Sequence, residues 1–226
     1  MKTPLTLALF LSATGLVTAT DWPQFQGPER TGISQETGLL RSFPEGGPKI
    51  LWEAKLEEGF GGCAVVGDEV YLVDRVMKEK DMLLCLDFKT GKEKWRYESP
   101  SEGEPSFPGS RSVPTVDDEA VFFIGSFGRV HCIDRKTRKA RWTVKMSERY
   151  PDAETPKWGW AQPALVVDDI VFVTPFGEKT GAAGVGFPPT LASYAALGQS
   201  FVGVAHTFFY FLGNSILIGF CSTLAS

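Results

Sequence analysis

Few residues in this sequence are of a type suited to acid–base chemistry. Asp117-Asp118 and Asp168-Asp169 are candidate general bases, and His131 and His206 are the two histidines. A carboxylate or imidazole acts as a general base when it is held within hydrogen-bond reach of the proton it takes. Both aspartate pairs interrupt short apolar runs, in "PTVDDEAVFF" and "ALVVDDIVFV", and so read as solvated residues of tight turns. His131 stands before a cysteine in "VHCID" and reads as a packed or edge histidine. His206 lies in an apolar stretch near the C-terminus, where an ionisable group can mark function. Two histidines and no Cys-x-x-Cys give no zinc-ligand spacing. The chain has no Gly-x-Ser-x-Gly, no phosphate loop and no Gly-x-Gly-x-x-Gly. No residue is therefore assigned a catalytic or metal-binding role. One further pair invites a ligand. Trp158 and Trp160 flank a glycine in "TPKWGWAQP" and are candidates for a ligand-facing surface, against the competing reading of packing between repeats.

The elements that would position these residues come from a repeat. "CLDFKTGKEKW" at 85–95 returns as "CIDRKTRKARW" at 132–142, 47 positions on. Asp87, Thr90 and Trp95 match Asp134, Thr137 and Trp142. An Asp carboxylate accepts backbone N–H bonds across a turn, and a Thr hydroxyl does so more weakly. Gly91 supplies the positive φ that closes the first turn. Arg138 stands in its place in the second copy, so that turn is expected to be strained or of another type. Each Trp then starts the next strand and offers a large apolar area to a neighbouring sheet.

A second element alternates with the first. Residues 63–74, 113–125 and 162–175 share one plan: a short apolar strand, an acidic or Gly turn, and a strand of Val and aromatics. Tyr71, Phe122 and Phe172 fall at equivalent positions. Hairpin, strand, Asp-x-x-Thr turn and Trp strand together make four strands in about 40–50 residues, the period of a propeller blade. A β-sandwich also has short strands, but gives no reason for the same turn to recur at the same place.

The motif resembles the repeat of the pyrroloquinoline-quinone-type β-propellers, Ala-x-Asp-x-x-Thr-Gly-x-x-x-Trp. Asp87, Thr90, Gly91 and Trp95 match it, with Cys85 at the Ala position; the second copy lacks the Gly. "DWPQFQGPERTGIS" at 21–34, "ILWEAKL" at 50–56 and "WGWAQPALVVDDIVFVTP" at 158–175 are also similar to exported members of that family. The resemblance covers about residues 21–178. It implies either a quinoprotein dehydrogenase, which would need pyrroloquinoline quinone and Ca²⁺, or a non-catalytic scaffold like the propeller subunit of outer-membrane protein assembly. The family's dehydrogenases often carry two adjacent cysteines over the cofactor, and this chain has no Cys-Cys pair.

The ends of the chain read differently. Lys2, an apolar run at 5–17 and small residues at 17–19 form a signal peptide over 1–19, so the protein is expected outside the cytoplasm. Cys85 and Cys132 occupy equivalent places in apolar runs and are expected to be buried thiols, because equivalent positions in neighbouring repeats lie too far apart to bridge. Cys63 and Cys221 receive no assignment. The loop at 99–112, rich in Ser, Pro and Gly, reads as a flexible connector. From Thr180 to Ser226 there is no Asp, Glu, Lys or Arg, where 22 % charged residues would supply about ten. Within that tail, 200–220 is a candidate membrane helix; an out-of-frame end and ordinary propeller strands are the alternatives.

The expected fold is all-β. It is a partial propeller of about two and a half four-stranded blades over 20–180, followed by an apolar tail over 181–226 with helix as its candidate structure. A net charge of −4 argues against a nucleic-acid binder, which usually carries a basic surplus. The leading function is a non-catalytic, exported propeller that binds or scaffolds a macromolecule, with no cofactor. One alternative is a fragment of a quinone-dependent dehydrogenase, for which alone quinone and calcium are expected. Another is a membrane-tethered segment completed by another chain through its open sheet edges.

Overall fold

The computed structural model describes residues 20–151, 153–168, 170–174 and 216–218, the last for their backbone. The elements in chain order are β1 (Ala64–Val66), β2 (Glu69–Val76), β3 (Lys78–Asp87), β4 (Glu93–Gly103), β5 (Thr115–Val116), β6 (Ala120–Ile124), β7 (Arg129–Asp134), β8 (Ala140–Lys145), the single-turn α1 (Met146–Arg149), β9 (Leu165–Val167), β10 (Ile170–Val173) and β11 (Ile216–Ile218). They form two four-stranded antiparallel meanders, β1-β2-β3-β4 and β5-β6-β7-β8, and a third sheet ordered β9-β10-β11. The fold is thus an all-β partial propeller of two complete blades and the start of a third.

The repeat sets the register. Tyr71 pairs with Ala64, Phe122 with Thr115 and Phe172 with Leu165, so the three aromatics occupy one position in three hairpins. Cys85 pairs with Trp95 and Cys132 with Trp142, and each ladder slips by one residue immediately afterwards. That bulge admits the extra residue of the Asp-x-x-Thr turn and increases the local twist.

Alternation along each strand divides the side chains between two seams. Tyr71, Val73, Leu83, Cys85 and Trp95 of blade 1 pack on Val121, Phe123 and Ile133 of blade 2. The other face of blade 2, with Phe122, Val130 and Cys132, packs on Trp160, Ala164, Val171 and Val173. The opposite face of blade 1 buries Val70, Leu72, Met82, Leu84 and Leu86 beneath Trp52 and Ala54. Cys85 and Cys132 are both buried thiols. They sit in different seams, which is why equivalence in the repeat does not bring them together.

The region expected to be a flexible connector is an ordered part of the fold. Residues 99–103 extend β4. Beyond them, Ser110 N donates to Glu58 O at 3.3 Å, and Ser106 N donates to Lys157 O at 3.1 Å. The chain there is rich in Ser, Pro and Gly because it turns tightly against its neighbours.

The signal peptide at 1–19 lies outside the described residues, as do His206, Cys221 and most of the candidate membrane helix. Of that helix only 216–218 are described, and they form β11, antiparallel to β10. Among the described residues no helix is long and apolar enough to cross a membrane.

Candidate functional site

The two repeat turns are built alike. Asp87 Oδ1 accepts from Thr90 N at 2.8 Å, Thr90 Oγ1 at 2.7 Å and Lys89 N at 3.2 Å. Gly91 closes that turn with φ 68°. Asp134 Oδ1 accepts from Thr137 N at 2.7 Å and Lys136 N at 3.0 Å. Arg138 keeps the same geometry at φ 62°, so the second turn is the same type with a side chain in the left-handed region. Of the two possibilities read from the sequence, strain is the one that applies. The Thr90 hydroxyl and backbone bonds hold the Asp87 carboxyl below its usual range. The Thr137 backbone bond, with Arg141, holds that of Asp134 at about 2. Both carboxylates are anions engaged with their own turns.

The other candidate acids divide the same way. Asp117 Oδ1 accepts from Glu119 N at 2.8 Å and Ala120 N at 2.6 Å, an Asx turn between β5 and β6. Asp118 is exposed beside it. Asp168 turns β9 into β10 at φ 50°. Asp169 lies outside the described residues. Among the described residues, no group of three or more His, Cys, Asp or Glu side chains converges as a metal would need.

The strongest polar cluster was not found from the sequence. Arg75 and Asp81 form an ion pair at 2.8 Å, with side chains 0 % and 2 % exposed. Arg75 also donates to Ser101 O at 2.8 Å and Gly103 O at 2.7 Å. Asp81 reaches into blade 2, accepting from Ser126 N at 3.0 Å and Ser126 Oγ at 2.8 Å. At the other end of the same seam, Arg135 of blade 2 donates to the Tyr71 hydroxyl at 3.1 Å and to Glu69 at 3.2 Å, while Lys94 donates to Glu69 at 2.7 Å. Burial opposes ionisation of Glu69, but the bonds from Lys94, Tyr71 and Arg135 outweigh it and hold the carboxyl at about 2. The two blades are therefore tied by charge at both ends of an apolar seam. A sequence signal existed for Arg75 alone: a charge inside the apolar run "YLVDRVM".

His131 is 1 % exposed, stacked on Phe123 at 4.3 Å, and neither ring nitrogen has a hydrogen-bond partner. Burial pushes its pKa down to about 3, so it is a neutral core residue.

Trp158 and Trp160 take opposite places. Trp160 is 4 % exposed and lies against Gly128, where a Cβ would come within 2.7 Å of its indole nitrogen. It belongs to the seam after blade 2, the packing place of the competing reading. Trp158 is 63 % exposed, and Phe60 and Phe107, on the loops before β1 and β5, are 64 % and 51 % exposed. The Phe60 and Phe107 rings meet at 5.3 Å. The Arg111 guanidinium lies 5.6 Å from Phe60 and 5.4 Å from Phe107 and donates to Trp158 O. Three loops, before β1, before β5 and before β9, are thus joined into one surface at the end of the blades opposite the Asp-x-x-Thr turns. An open groove of about 280 Å³ elsewhere, between residues 54–57 and the outer half of blade 1, is lined by Met82, Leu84, Leu86, Glu93 and Arg96.

The family model described as outer membrane protein assembly factor BamB matches residues 36–183. No curated protein matches the sequence. Among solved structures, BamB from Moraxella catarrhalis is similar at 19 % identity and a TM-score of 0.37, covering 54 % of this chain and 32 % of its own. A quinohemoprotein alcohol dehydrogenase from Pseudomonas putida HK5 is similar at 18 % identity and a TM-score of 0.40, covering 57 % of this chain and 18 % of its own. A europium-containing methanol dehydrogenase is similar at 21 % identity and a TM-score of 0.39, covering 55 % and 21 %. The chain thus spans no more than about a third of these structures.

Proposed function

Since this chain belongs to the quinone-type β-propeller family described as outer membrane protein assembly factor BamB, we propose that it is an exported, non-catalytic propeller protein that binds another protein. The observation that carries this reading is the surface at the loop end. Three aromatic side chains, Phe60, Phe107 and Trp158, are more than half exposed there on loops held by backbone bonds. Exposed rings on a fixed framework are a common feature of protein interfaces. The candidate acids support the same reading: Asp87, Asp117 and Asp134 each bond to the backbone of their own turn. Export rests on the signal-peptide pattern at 1–19.

The test is addition of pyrroloquinoline quinone and Ca²⁺ to the purified full chain. We expect no saturable binding heat and no alcohol-dependent dye reduction above buffer. Stoichiometric uptake of the quinone with turnover of an alcohol would overturn the reading in favour of a dehydrogenase fragment.

A further inference from the structure

We propose that the Phe60–Phe107–Trp158 surface receives a cationic polypeptide segment carrying apolar side chains. This rests on the binding role above and adds the chemistry of the partner.

The first argument is shape. The three rings are 64 %, 51 % and 63 % exposed, and their loops form an open surface rather than an enclosed cavity. A small molecule needs concavity to bury most of its area. An open aromatic surface suits the side chains of a macromolecule, which can bring many contacts at once.

The second argument is charge. The loop segments 57–60, 102–111 and 154–160 carry Glu57, Glu58, Glu102, Glu104 and Glu154, all exposed, against Arg111 and Lys157. Of the two bases, Arg111 is engaged within the surface. It donates to Gly109 O and Phe107 O at 3.1 Å each and to Trp158 O, with its guanidinium beside two rings. It supports the loops and is not available to an acidic partner. Glu104 is matched by Lys78 at 3.0 Å, a pair exposed on both sides and therefore weak. The same loops thus offer aromatic faces and a surplus of exposed carboxylates. Lysine and arginine side chains are attracted to both, by the ring quadrupole and by the carboxylates. Anionic lipid and acidic peptides are repelled by the same carboxylates.

The third argument is rigidity. Gly109 approaches the Glu58–Gly59 backbone so closely that a Cβ would stand 2.9 Å from Gly59 N. Phe60 N donates to Ser110 O at 2.6 Å, and Gly159 N donates to Pro156 O at 2.8 Å. Binding therefore orders little that is not already ordered.

The experiment uses the full chain, isothermal titration, and four probes: a 15-residue peptide of alternating Leu and Lys, its Leu/Glu counterpart, a Ser/Lys control, and phosphatidylglycerol vesicles. The Leu/Lys peptide should bind most tightly and weaken as salt is added. Phe60→Ser and Trp158→Ala should each reduce its affinity about tenfold. Both residues are exposed, and an unchanged unfolding midpoint will show that the fold is intact. Tighter binding of the Leu/Glu peptide or of the vesicles overturns the inference. So does equal binding of the Ser/Lys control, or of either variant. None of these outcomes involves quinone turnover, which is what would overturn the binding role itself.

Discussion

Trp52 donates its indole N–H to Phe88 O at 2.8 Å and sits so close to Gly91 that a Cβ there would stand 2.3 Å from its ring. The glycine of the first repeat turn therefore does two things. It supplies φ 68°, and it leaves room for an indole arriving from residues before the first blade. Trp52 and Ala54 cover the outer face of blade 1 in this way.

Gly91→Ala should cost about 2 kcal/mol or more in denaturant unfolding. Left-handed backbone alone costs roughly 1–2 kcal/mol for a side chain, and Trp52 must leave its seat. A change below about 0.5 kcal/mol would mean that the Trp52 contact contributes nothing.

The second turn predicts the opposite sign. Arg138 holds φ 62° in the position of Gly91. Arg138→Gly should raise stability by about 1 kcal/mol through relief of that strain, seen as a higher unfolding midpoint with unchanged slope.

Asp81→Ala removes the partner of a fully buried guanidinium and two acceptor bonds to Ser126. A loss of about 3–5 kcal/mol is expected, as for other buried pairs broken on one side. Asp68→Ala, which breaks the exposed pair with Lys89 at 3.5 Å, should change stability by less than about 1 kcal/mol. Equal effects of the two would show that the buried Arg75–Asp81 pair and the Asp81–Ser126 tie between blades are not structural.

His131 makes stability depend on pH. Its folded pKa of about 3 lies below the ordinary histidine value of 6.5, so the unfolded chain binds the proton first as pH falls. The His131 contribution is constant above pH 6.5. Between pH 6.5 and 3 the unfolding free energy should fall by about 1.4 kcal/mol per pH unit from this group. His131→Phe should flatten that part of the curve. An unchanged slope would show that the ring is not buried neutral against Phe123.

Much of the architecture was legible because it is periodic. The repeated Asp-x-x-Thr…Trp peptide gave the turns, and alternation around Tyr71, Phe122 and Phe172 gave the hairpins and their shared register. Residues that act across seams left weaker signals. Asp81, Glu69 and Arg135 look like ordinary surface charges, because their partners lie on another strand or another blade. Trp158 and Trp160 could not be told apart by type. What separates them is Gly128, 32 residues before Trp160, whose missing Cβ makes the slot that buries one indole and not the other. The Ser/Pro/Gly composition of 99–112 suggested flexibility, because composition does not record that Ser106 and Ser110 bond to neighbouring loops.

The central claim is that the loop end of the blades meets a protein. The direct measurement places a photo-crosslinking amino acid at Phe107 in the full chain within its native host cells. A control at Phe88 uses a residue 41 % exposed on the opposite end of the same blade. The account predicts one discrete protein adduct from Phe107 that is absent from Phe88 and is lost with Trp158→Ala. Identical adduct patterns from the two positions, or none from Phe107, would contradict it.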